Sequence, residues 1–129
     1  MELKDSRYWH FKSRVEERAG IEIGRYTYDT INMACEMTIA KALKNRRLKI
    51  KRNVRLGNGS KASVDNPKVM VKVELFGSEF VAIYDTHDKM AVTCLIDQMH
   101  YHRNMISNLV KEGVVTIIRD DGYIEVRGI

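Results

Sequence analysis

The stretch KVMVKVELFGSEFVAIYDTHDKMAVTCLI, Lys68 to Ile96, decides the fold. It holds three runs rich in Val and Ile: KVMVKVEL, EFVAIYD and MAVTCLI. Turn residues separate them at Gly77-Ser78 and from Thr86 to Lys89. β-Branched and aromatic side chains suit a pleated, half-buried surface, and short turns fold such runs back antiparallel. The pattern predicts a three-strand meander with no helix inside it.

Upstream, GNGSKASVDNP (Gly57 to Pro67) reads as a loop and carries the only proline. RRLKIKRNVRL before it alternates, with Leu48 and Ile50 facing one way and Arg47, Lys49 and Lys51 the other. That is a half-buried strand with a cationic outer face. Earlier still, Ile31, Cys35, Ile39 and Leu43, with Ala34 and Ala42 beside them, recur at helical spacing. They predict a helix from Thr27 or Asp29 to Lys44. A first helix is predicted from a cap at Asp5 or Ser6 to about Ala19, where Gly20 ends it. Its apolar stripe is Phe11 and Val15.

Downstream, DQMHYHRNMISNLVKE (Asp97 to Glu112) reads as a third helix with Met99, His102, Met105, Ile106 and Leu109 inward. VVTIIRDDGYIEVRGI closes the chain as a hairpin turning at Asp121-Gly122. The expected fold class is α+β. Two N-terminal helices lie on a twisted antiparallel sheet (core 6–96), and a helix and β-hairpin (97–129) are appended within a single domain, 1–129.

At 129 residues, 44% apolar and 30% charged, the chain has the composition of a globular domain with a hydrophobic core. No apolar run approaches the roughly 18 residues that span a bilayer. MELKDSRYWH lacks the basic start and apolar stretch of a secretory signal, so a cytoplasmic protein without membrane contact is expected. Cys35 and Cys94 sit in apolar patterns without a close partner at ligand spacing, so neither metal nor cofactor is expected. GNGS lacks the Lys-Ser/Thr of a phosphate-binding loop.

The net charge is +5, and its distribution is uneven. From Met37 to Val64 there is no acidic residue, while nine basic ones fall in the same span. Lys41, Lys44, Arg46, Arg47, Lys49, Lys51, Arg52 and Arg55 are the candidate nucleic-acid contacts, because an uncompensated positive field attracts polyanions. RNA is expected ahead of DNA. An acidic protein partner and a homodimer are the other associations the chain allows.

In YWHFKSRVEERAGI (Tyr8 to Ile21), His10, Arg14 and Arg18 fall four apart, about 100° round the helix from Phe11 and Val15. The line therefore borders the core, as a cleft-lining face does. A His-and-Arg helix ending ERAGI, a second helix, then strands reading FVAIYD (Phe80 to Asp85) and AVTCL (Ala91 to Leu95), resembles the RelE-like group of small endoribonuclease domains. That group includes toxins and phage proteins related to RegB. The resemblance covers about Ser6 to Ile96. It implies metal-independent RNA cleavage by attack of the ribose 2′-hydroxyl. His10 would then be base or acid, Arg14 and Arg18 phosphate contacts, and Thr93 a hydroxyl orienting the phosphate. An antitoxin-like inhibitor would be a natural partner. Histidine suits such proton transfers and arginine suits a charged phosphorane. The opposing reading is a solvated helix face, a packing threonine, and a non-catalytic regulator or inhibitor that binds nucleic acid or protein on the same scaffold.

Overall fold

The structure, a computed structural model, describes residues 2–49, 67–96, 108–111 and 113–129. Helices α1 (Leu3–Ala19) and α2 (Arg25–Lys44) precede strands β1 (Leu48–Lys49), β2 (Lys68–Leu75), β3 (Ser78–Asp85) and β4 (Met90–Leu95). Strands β5 (Asn108–Val110), β6 (Val115–Ile118) and β7 (Ile124–Arg127) follow. The class is α+β, as expected.

The meander forms as its alternation requires. β2 pairs antiparallel with β3 from Lys68↔Asp85 to Leu75↔Ser78, and β3 pairs antiparallel with β4. The first turn consists of Phe76 and Gly77, one residue earlier than its sequence signal, and both have positive φ, +52° and +86°. Two-residue hairpin loops of this hand match strand twist, and glycine supplies the second position at no steric cost. In the second turn Asp85 Oδ1 accepts the N–H groups of His87 and Asp88 at 2.8 and 3.0 Å.

Two expectations fail in the C-terminal third. Asn108–Val110 is a strand, not the end of a helix, and the sheet is mixed. β5 runs parallel to the start of β2 (Val69↔Asn108) and antiparallel to β1, while β6 runs parallel to the end of β2 (Val73↔Thr116). Parallel neighbours need a connection of about a dozen residues or more, and β2 and β5 are separated in the chain by more than that, with β3 and β4 between them. Local helical periodicity in NLV is overridden because two strand edges, β1 and β2, offer it ladder partners. The hairpin β6–β7 does form, from Val115↔Arg127 to Ile118↔Ile124, and its first strand is built into the sheet beside β2. The predicted inward faces of Met99, His102, Met105 and Ile106, the Gly57 loop up to Asn66 and the strand beyond Lys49 lie outside the described residues.

Both helices contribute to one core on one face of the sheet. Phe11 and Val15 from α1, with Tyr28, Ile31 and Cys35 from α2, meet Val71, Val73, Phe80, Ala82, Tyr84 and Cys94. Each such aromatic or aliphatic side chain contributes about 1.5–3 kcal/mol by leaving water. α1 lies along β4. α2 is tied to that strand by the Tyr28 hydroxyl, which donates to Ala91 O (2.6 Å), and by Asn32 Oδ1, which accepts the Ala91 N–H (2.7 Å). Farther along α2, the Thr38 and Thr116 hydroxyls share a buried hydrogen bond of 2.6 Å with β6. α1 starts at Leu3, upstream of the expected Asp5 or Ser6 cap. Asp5 serves instead as a first-turn acid paired to Arg25, where a carboxylate favours the helix dipole. Gly20 ends α1 at φ +70° with its N–H on Glu16 O, as its position predicts. α2 likewise starts ahead of Thr27, with Gly24 as its flanking residue.

Candidate anion-binding surfaces

His10, Arg14 and Arg18 share one side of α1, and Arg7 extends the line by a further turn. A hollow of about 280 Å³ lies beside it, lined by Leu3, Ser6, Arg7, His10 and Val92. Partial burial, then the charges of Arg14, Arg18 and Arg7, hold the His10 imidazole below its ordinary value of 6.5. It is neutral at pH 7 and able to accept a proton. The arginines are largely committed to the protein itself. Arg18 donates to the Cys94 carbonyl (2.6 Å), Arg14 pairs with Glu17 (2.8 Å), and Arg7 reaches Asp88 at 3.5 Å. Arg7 Nε is buried with no hydrogen-bond partner. The i, i+3, i+7 spacing of Arg7, His10 and Arg14 was readable in the sequence. Arg7 stands three residues before His10, outside the interval of four that marks His10, Arg14 and Arg18.

Thr93 does not join this line. The β3–β4 ladder shifts register between Ile83 and Tyr84, pairing Ile83 with Thr93 and Tyr84 with Ala91, so Val92 is an extra residue. Partners across a ladder share a face. Thr93 therefore lies with Ile83, whose cluster of Met70 and Leu95 occupies the face away from the helices. Val92 borders the His10 hollow instead.

The second surface is the end of α2 and the turn after it. Lys41 and Lys44 are exposed in the last turn, and Arg46, also exposed, adopts a left-handed conformation (φ +55°) that turns the chain toward β1. Arg47 O then accepts the Lys111 N–H (2.8 Å), which fixes this corner against the end of β5. Among the described residues Lys41, Lys44 and Arg46 enter no ion pair. Elsewhere Lys4, Arg7, Arg14, Arg25, Lys72, Arg119 and Arg127 each meet a carboxylate. Lys49 is placed by its backbone in β1, opposite Leu109. Lys51, Arg52 and Arg55 lie outside the described residues.

The two surfaces lie toward opposite edges of the sheet. The strand order β1-β5-β2-β3-β4 puts the basic corner by β1 and the His10 line by β4, two strands that are four spacings or about 19 Å apart. Among the described residues no group of His, Cys, Asp and Glu is placed to hold a metal ion, and no helix is long and apolar enough to cross a membrane. The Cys35 and Cys94 thiols are pushed up to about 12 by burial, which keeps both un-ionised. No family model, curated protein or solved structure matches the chain.

Proposed function

We propose that this chain is a binding protein for nucleic acid, RNA first, which grips the phosphate backbone through the basic corner at the end of α2. The observation that carries this reading is that Lys41, Lys44 and Arg46 gather at one corner with no carboxylate partner among the described residues, where seven other cations each have one. Cations in a last helical turn also complement the helix dipole, and that alone would account for Lys41 and Lys44. It does not account for the lack of any acid from Met37 to Val64. The unpaired α2 cations, Lys41 and Lys44, lie in its last turn while its centre carries Met33 and Met37 outward, so contact with phosphates suits it better than a helix read along a groove. Replacing Lys41, Lys44 and Arg46 together by Glu should weaken binding of a labelled single-stranded RNA at least tenfold. Lys4→Glu, a charge change at the start of α1, should leave it within twofold. Equal losses in both variants would show that net charge, not this corner, governs binding.

A second reading keeps metal-independent RNA cleavage at the His10 line. Its support is a neutral imidazole beside a hollow that Arg7 also lines. His10 would take the 2′-hydroxyl proton, with Arg7 and Arg14 facing the phosphate. Thr93, on the other face of the sheet, has no part in it, and the hollow offers no second group titrating near neutrality for the leaving oxygen. RNA incubated with the protein in EDTA should then yield 2′,3′-cyclic phosphate ends, lost in His10→Ala. Cleavage unchanged by that substitution removes the reading.

A further inference from the structure

Beside the basic corner, α2 and the β3–β4 turn enclose a hollow of about 210 Å³ lined by Glu36, Ile39, Ala40, Leu43, Tyr84, Thr86 and Lys89. Its floor is apolar, and Leu43 stands at its rim with 56% of its surface exposed. The volume is below the roughly 300–1,000 Å³ of small-molecule sites and fits an anchoring side chain or two. The wall's one carboxylate, Glu36, accepts a hydrogen bond from the Tyr84 hydroxyl (3.3 Å) and so is turned toward its own protein. Asp85 and Asp88 of the turn are likewise engaged, Asp85 by the backbone N–H groups of His87 and Asp88 and Asp88 by Arg7, so the unpaired charges at the hollow are lysines. Lys89 lines the hollow, Lys44 lies one helical turn beyond Ala40, and neither has an ion-pair partner among the described residues.

We infer that this groove docks an acidic protein segment, which inserts one apolar side chain between Ala40, Leu43 and Tyr84 and sets carboxylates on Lys44 and Lys89. Charge complementarity selects the occupant. A basic or neutral segment would leave the two lysines unmatched, and nucleic acid has no aliphatic anchor for the floor. An apolar anchor in a pocket with a charged rim is how short peptides obtain both affinity and register. Lys44 belongs to both surfaces, so the docked segment excludes RNA from the corner; this last consequence rests on the RNA reading, whereas the docking does not.

The probe is a fluorescein-labelled fifteen-residue peptide of Glu-Glu-Leu repeats, with versions in which Leu is replaced by Ser or Glu by Lys. The account expects saturable binding of the first peptide to the full chain, at least tenfold weaker binding of the Ser version, and none of the Lys version. Ala40→Phe, which fills the hollow from an exposed position, should weaken peptide binding at least tenfold while leaving RNA affinity within twofold. Equal affinity of the Leu and Ser peptides would reduce the groove to a general polyanion surface and overturn the inference. So would indifference to Ala40→Phe, or failure of the first peptide to bind at millimolar concentration. Peptide binding without RNA binding would leave the docking standing and remove the RNA reading; RNA binding without peptide binding would do the reverse.

Discussion

Single residues in this chain carry definite energetic consequences. Thr38 and Thr116 are both fully buried and hydrogen-bond to each other, while Thr38 also meets Ala34 O at 2.9 Å. Thr38→Val would strand the Thr116 hydroxyl in the core, a loss of roughly 1–3 kcal/mol. The double change Thr38→Val, Thr116→Val should recover much of that, and denaturant unfolding of the three variants measures it. A double mutant no more stable than Thr38→Val alone would show that the hydroxyl pair is not what the site loses. His10 gives a pH prediction with a fixed sign. Burial and then Arg14, Arg18 and Arg7 lower its proton affinity in the fold, so its contribution is present above the unfolded value near 6.5. That contribution is lost as pH falls through the lower folded value. The His10 resonance should titrate below 6.5, and Arg14→Gln should move the midpoint upward. A midpoint at or above 6.5 would mean that the arginines do not act on the ring. The alignment of His10, Arg14 and Arg18 was legible from spacing, because a helix fixes which residues share a side. The position of Thr93 was not, because strand alternation carries no sign of the extra residue at Val92.

At the scale of elements, the helices and the meander were readable and the strand at Asn108 was not. Phe11 and Val15, Ile31 and Cys35, and the alternation of β2 and β3 each encode their own burial. Asn108–Val110 becomes a strand because of distant partners, Val69 and Met70 on one side and Leu48 on the other, and no local pattern reports that. Helix starts missed by a few residues for a related reason. Polar residues suited to capping lie inside α1, and neither helix uses a side-chain cap. The β2–β3 turn carries a testable cost. Phe76 is half exposed yet held at φ +52°, a region that costs a bulky residue about 1–2 kcal/mol relative to glycine. Phe76→Asn should therefore stabilise the fold by roughly 1 kcal/mol, since asparagine tolerates left-handed backbone. A thermal melt checks it, and a lowered midpoint would show that ring contacts outweigh the backbone relief.

For the whole molecule the decisive fact is separation. A histidine line and an acid-free basic block can be read together as one ribonuclease cleft from sequence. The sheet instead puts one at the β4 edge and the other at the β1 edge. That separation is why binding, not cleavage, is the leading proposal. The charge block itself was legible as a run of residues, but the sheet order that isolates it was not, because it depends on β5 inserting between β1 and β2. The measurement that tests the central claim most directly is the salt dependence of single-stranded RNA affinity, wild type against the Lys41→Glu, Lys44→Glu, Arg46→Glu variant. Each phosphate contact on a single strand contributes about 0.7 to the slope of log affinity against log salt, so the loss of three contacts should reduce its magnitude by about 2. An unchanged slope would contradict the account.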